Sequence, residues 1–199
     1  MEILNKTMYW ISTGLMLPVV VILILLFLRA LLALGGFYGA YLNRLKSTKA
    51  MHSYLEGLAG HGFEQEEIPN GPAAIWTYLG RLRQALHSPV NREKVLADFE
   101  LEMSQQLALT KRMSKLGPVL GLMGTLIPMG PALVGLASGN IASMAENMQV
   151  AFSTTVVGLV VGAIGYLLTE IKQRWYAKDL SQLNYIADLI TENHAKKEQ

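Results

Sequence analysis

The chain has 199 residues, a net charge of +2, 51% hydrophobic residues and only 16% charged ones, a balance unusual for a soluble domain. With no cysteine, disulfides, thiolate metal sites and cysteine nucleophiles are excluded. The small positive charge, without a basic stripe interleaved with aromatics, argues against nucleic acid as a partner.

In chain order, the first strong signal is an almost unbroken apolar run from Ile11 to Leu28, which stops at Arg29 and resumes from Ala30 to Leu42. It is longer than the apolar stretch of a signal peptide and no small-x-small cleavage site follows it, so it is expected to remain as a membrane span. Arg29 reads as a boundary marker whose head snorkels toward the cytoplasmic face. Arg44 to Leu58 continues the helical pattern past that span, and "GHGFEQEEIPNGP" then breaks it with Gly and Pro, as a loop does. "AAIWTYLGRLRQALH" has one apolar face, the mark of an amphipathic helix. "SPVNREK" supplies a helix start, with Ser88 as N-cap and Pro89 at the first helical position. That helix meets no stop signal before Leu116, and its apolar positions are Val95, Leu96, Phe99, Met103 and Leu107.

A second apolar run covers Leu116 to Ala137 and a third Val150 to Leu168, each near the ~20 residues a helix needs to cross a bilayer. The tail from Glu170 to about Glu192 is again amphipathic, through Ile171, Trp175, Leu183, Ile186 and Ile190. The predicted fold is therefore an all-α membrane protein. Residues 1–42 hold an outer N-terminus and the first span, and 43–115 a cytoplasmic helical insert. The second span is 116–138, a short external link 139–149, the third span 150–169 and a cytoplasmic helical tail 170–199. Orientation follows from the placement of Lys and Arg. Arg44, Lys46 and Lys49 follow the first run, Lys111, Arg112 and Lys115 precede the second, and Lys172, Arg174 and Lys178 follow the third, whereas the link between the last two runs holds only Glu146.

The second and third runs are rich in residues that weaken helices. Pro118, Gly121, Thr125, Pro128, Ala132 and Gly135 fall on one stripe at helical spacing, and Ala151, Thr155, Gly158, Gly162, Gly165 and Thr169 on another. Small residues let helix backbones touch in lipid, so Gly121, Gly124, Pro128, Gly158, Gly162 and Gly165 are the expected helix-packing residues. Thr125 and Thr155 lie about 13 Å and 20 Å from the cytoplasmic ends of their spans, in the middle third of the bilayer, with Ser153 and Thr154 beside the second. A polar patch at that depth is a candidate ion pathway. None of the fifteen acidic residues falls inside an apolar run, so a proton carrier must come from another chain. His52, His61, His87 and His194 show no metal-ligand spacing, "GLAGHG" lacks the Lys and Ser/Thr of a phosphate loop, and an enzyme is not expected.

"GPVLGLMGTL", Gly117 to Leu126, and "AFSTTVVGLVVG", Ala151 to Gly162, resemble the second and third spans of the MotA/TolQ/ExbB proton-channel family, as does the layout of three spans with a cytoplasmic insert and tail. The resemblance places the family's two pore threonines on Thr125 and Thr155. It implies a homo-oligomeric ring, a pentamer, around a single-span partner of the ExbD/TolR/MotB kind whose span carries an Asp. It implies an inner-membrane motor that couples ion flow, of H⁺ or Na⁺ and with no cofactor, to transport or envelope work. Many TolQ- and ExbB-like members carry a Glu where this chain has Val150, and Pro128 and Pro131 are not usually both proline. The insert is shorter than a flagellar stator's, which favours an ExbB- or TolQ-like role. The competing expectation is a non-conducting oligomeric scaffold in the lipid membrane that recruits proteins through its long cytoplasmic helices, with Trp175 and Ile186 among the residues it would depend on.

Overall fold

The computed structural model describes residues 2–61, 68–69, 71, 73–85 and 88–197. Most of the expected Gly/Pro loop lies outside them, as do the side chains of His61, His87 and His194. The described chain is helical: α1 (Glu2–His61), α2 (Ala74–Gln84), α3 (Pro89–Ala137) and α4 (Ile141–Lys197). α1, α3 and α4 are each long and apolar enough to cross a membrane. Each is also two to three times longer than the ~20 residues that a crossing needs.

The start of α3 is set where the sequence places it. Ser88 Oγ accepts the N–H of Asn91 at 3.4 Å, which satisfies one of the donors left over at a helix N-terminus, and Pro89 has no N–H to satisfy. The turn between α3 and α4 is tighter than the 139–149 link expected from composition: it comprises Ser138 to Asn140 only, and 141–149 is already helix. Gly139 takes φ 72°, the left-handed conformation that glycine adopts without strain. The N–H of Asn140 then reaches the Gly135 carbonyl at 2.8 Å and that of Gly139 the Leu136 carbonyl at 3.1 Å, closing α3 with a Schellman pair. Asn140 Oδ1 accepts the N–H of Ser143 at 3.0 Å and so caps α4. The polar residues after the turn sit on a helix because that cap holds its first turn.

The chain divides into two compact units. The first consists of Met1–Gly35 and Ala108–Thr169. Its aliphatic cluster is small, Ala30, Met113 and Val161 with Leu26, Phe27, Ala33, Val157 and Ile164 against them. Its outer surface is apolar: Leu25, Leu122, Leu126, Leu133, Phe152 and Leu159 are all more than half exposed. Such a surface needs lipid or other protein around it. Arg29 is exposed and precedes Ala30 in this cluster, whose α3 member, Met113, lies between Arg112 and Lys115.

The second unit consists of Gly36–Leu107 and Glu170–Gln199. Here all four helices meet around one core, with Met51 and Tyr54 from α1, Leu79 and Leu82 from α2, Phe99 from α3 and Ile186 from α4 among its buried members. The amphipathic faces of α2 and of the tail are thus covered within the chain. Arg44 forms a two-pronged pair with Asp179, both contacts at 2.6 Å, and also donates to the Trp175 carbonyl at 3.2 Å. The Trp175 ring stacks on Phe37, centroids 5.3 Å apart and planes within 6°. Burial pushes the Asp179 carboxyl above its ordinary value of 3.8, against the opposing pull of Arg44. Tyr78 donates to a Glu102 carboxylate oxygen at 2.6 Å, and burial, then that bond, raises its phenol.

Candidate functional site: the α3–α4 seam and its hydroxyls

Within the first unit α3 and α4 approach so closely that glycine is required along the contact. A Cβ built on Gly117 falls 2.7 Å from both the Gly158 oxygen and the Gly162 nitrogen, and one on Gly158 falls 2.7 Å from the Gly121 Cα. One on Gly165 meets the Ser114 nitrogen at 2.5 Å, and one on Gly162 meets the Pro118 ring at 2.7 Å. These neighbours are mostly backbone, so no rotamer change relieves them. Gly121, Gly124, Pro128, Gly158, Gly162 and Gly165 are all buried. The contact is a glycine seam of the kind that joins helices in lipid, where dispersion rather than water release holds backbones together.

The seam keeps Gly121 of one expected stripe and Gly158, Gly162 and Gly165 of the other, and departs from them at the hydroxyls, where Gly124 and Thr154 make the contact beside Thr125 and Thr155. On α3 it follows Gly117, Gly121 and Gly124, and on α4 Thr154, Gly158 and Gly162. Thr154 is the buried hydroxyl, packed so that a Cβ on Gly124 would fall 2.5 Å from its Oγ1. Thr125 and Thr155 stand beside the seam, half-buried, and Ser153 is exposed. Spacing alone did not distinguish Thr154 from Thr155; the signal that could have done so is the glycine register on the facing helix.

Each hydroxyl has its proton engaged by its own helix. Thr125 donates to the Leu122 carbonyl at 2.7 Å, Thr155 to that of Ala151 at 3.1 Å and Ser153 to that of Gln149 at 2.8 Å. Thr154 reaches the Val150 and Ala151 carbonyls at 3.0 and 2.9 Å. A hydroxyl with its proton so engaged presents lone pairs, and acts outward as an acceptor. The prolines add acceptors. Pro128 and Pro131 lack the N–H that would bond the carbonyls of Gly124 and Ile127, so these two oxygens lose their helical donors. The arrangement suits a proton donor, a water or a small cation. It cannot itself titrate, since neither span segment facing the seam holds a carboxylate between Asn147 and Thr169 or between Ala108 and Ala137. Among the described residues no cluster of three or more His, Asp or Glu could hold a metal ion, and His52 is exposed beside Glu56 at 3.1 Å.

The family model of the MotA/TolQ/ExbB proton channel family matches residues 82–184, more than half of the chain. The chain belongs to that family. The match takes in the end of α2, the whole of α3 and most of α4, and so the entire seam. Membership makes this a membrane protein of ion-channel type rather than of an enzyme class. No curated protein and no solved structure matches the chain.

Proposed function

We propose that this channel-family subunit assembles with further copies of itself into a ring, a pentamer by family resemblance, in the inner membrane. Its N-terminus lies outside and its tail in the cytoplasm. The ring surrounds a single-span partner of the ExbD/TolR/MotB kind and couples the flow of H⁺, or Na⁺, to transport or envelope work. The observation that carries this reading is the acceptor-only set of hydroxyls beside a glycine-tight helix pair that has no acid of its own. A partner carboxyl that gains a proton becomes a donor, and Thr125 and Thr155 offer it lone pairs at mid-span. When it loses the proton, the same lone pairs bind the water or cation that takes its place.

A scaffold would have to recruit proteins through other faces of the cytoplasmic helices, because the apolar face of the tail is covered inside the chain. Ile186 and Leu183 have no exposed surface, and Trp175 lies against Phe37. The experiment is reconstitution of the subunit with its partner in vesicles and measurement of ion flux. Thr125→Val with Thr155→Val keeps size and removes the lone pairs. Flux is expected to fall at least ten-fold, taking about 1.4 kcal/mol as the loss of one good acceptor in a low-dielectric path. Unaltered flux would refute the role given to the hydroxyls.

A further inference from the structure

In the first unit α1 and α4 enclose an open-sided cavity of about 510 Å³, lined by Val20, Leu23 and Ile24 of α1 and by α4 residues from Glu146 to Val157. That volume lies within the range of small-molecule binding sites. Its chemistry is graded along α4. Glu146 stands at the end next to the α3–α4 turn, Gln149 follows, and Val157 closes the other end. From Glu146 to Val157 is about 16 Å of helix, close to half the thickness of a bilayer's hydrocarbon core. The hydroxyls between them offer no donor to the cavity, since Ser153 bonds the Gln149 carbonyl and Thr154 the Val150 and Ala151 carbonyls. The carboxylate of Glu146 has no ion-pair partner among the described residues, and five of the nine lining side chains are aliphatic.

The polar side chains, Glu146, Gln149, Ser153 and Thr154, all lie on the α4 wall, while the α1 wall of Val20, Leu23 and Ile24 and the far end at Val157 are aliphatic. A carboxylate at one end and an aliphatic wall along the rest fit an amphiphile that presents an ammonium at its head and has an apolar body. We propose that the cavity binds a membrane phospholipid with a primary-amine headgroup, its ammonium on Glu146, its glycerol esters near the Gln149 amide and one acyl chain along Val20, Leu23, Ile24 and Val157. The carboxylate accepts up to three N–H bonds from the ammonium, and the Gln149 amide donates to an ester carbonyl. A headgroup with a net negative charge and no ammonium would offer Glu146 only like charge, whereas the zwitterionic ethanolamine headgroup presents its ammonium.

The test is native mass spectrometry of the full-length protein in mild detergent, with dioleoyl phosphatidylethanolamine and dioleoyl phosphatidylglycerol added in equal amounts. The wild type is expected to retain the ethanolamine lipid roughly ten-fold over the glycerol lipid, the factor of one charge-assisted hydrogen bond. Glu146→Gln should abolish the preference, and Val157→Trp, which fills the apolar end, should lower retention of both lipids. Equal retention of the two headgroups by the wild type, or a preference that survives Glu146→Gln, would overturn the proposal. So would a Ser153→Cys variant that forms disulfide-linked pairs in native membranes, because a second copy of the chain would then occupy the cavity. Ion flux is not read in any arm, so failure here leaves the channel reading standing or falling on its own test.

Discussion

Replacing Gly158 by alanine should destabilise the protein, although the same change elsewhere in these helices should stabilise it. The added Cβ would fall 2.6 Å from the Gly117 carbonyl oxygen, 2.7 Å from the Gly121 Cα and 3.0 Å from the Gly121 nitrogen, where ordinary contact begins at 3.4 Å. All three neighbours are backbone, so α3 and α4 must part by about 0.8 Å, the difference between 3.4 and 2.6 Å. A gap of that size forfeits about a quarter to a half of the dispersion energy of each contact along the seam. Overpacking of this kind costs about 1–3 kcal/mol, against a gain of up to about 1 kcal/mol from alanine's better helix propensity. At Gly39 and Gly130 an added Cβ meets nothing within 4 Å, so only the gain remains. The assay is SDS-titrated unfolding of the purified protein followed by circular dichroism. Gly158→Ala is expected to lower the midpoint, and Gly39→Ala and Gly130→Ala to leave it unchanged or raise it. If all three shift together, α3 and α4 do not make this backbone contact.

Three further outcomes follow from the same geometry. Gly124→Ala should destabilise by driving a Cβ to within 2.6 Å of the Thr154 Cβ, and the exchange Gly124→Ala with Thr154→Gly should recover most of the loss in the same titration. Asp179→Ala leaves Arg44 buried without its counter-charge and should cost about 3 kcal/mol or more, whereas Arg44→Met with Asp179→Leu should cost far less; equal losses in thermal unfolding would show that the pair is not desolvated. Asp179 has a folded-state pKa raised above 3.8, so the folded protein binds that proton more tightly than the unfolded chain. Its contribution is therefore present below 3.8 and lost as pH rises through the folded value, and the unfolding free energy of the wild type relative to Asp179→Asn should fall over that interval. A rise would mean that attraction to Arg44 outweighs burial.

The three long apolar helices, the Ser88–Pro89 start of α3 and the amphipathic α2 were legible because each depends on neighbours within a turn or two. Which threonine sits in the seam was not. Gly121 is common to both candidate stripes, and Thr125 lies only one residue, about 100° of helix rotation, from Gly124. The choice is made at Gly124, against which Thr154 packs so closely that an added Cβ would fall 2.5 Å from its Oγ1. The shortness of the turn was hidden for a different reason. The gap between apolar runs ending at Ala137 and resuming at Val150 reads as a link, yet Asn140 caps a helix that carries most of that gap. The Arg44–Asp179 pair joins residues 135 apart, and no local pattern announces such a partner.

The two readings of the threonines differ in what they require of a neighbour. A threonine that served packing would sit where Thr154 sits, with its methyl and hydroxyl pressed on a glycine of the facing helix. Thr125 and Thr155 are one position off that contact on both helices, with their protons already held by Leu122 and Ala151. Their remaining capacity is to accept, and neither seam segment of the chain supplies an acid to donate. Acceptors at mid-span without a titrating donor do nothing for a lone subunit. Under the proposed function they acquire a use when a partner's acid passes them, and a subunit with no carboxylate in these segments fits that reading.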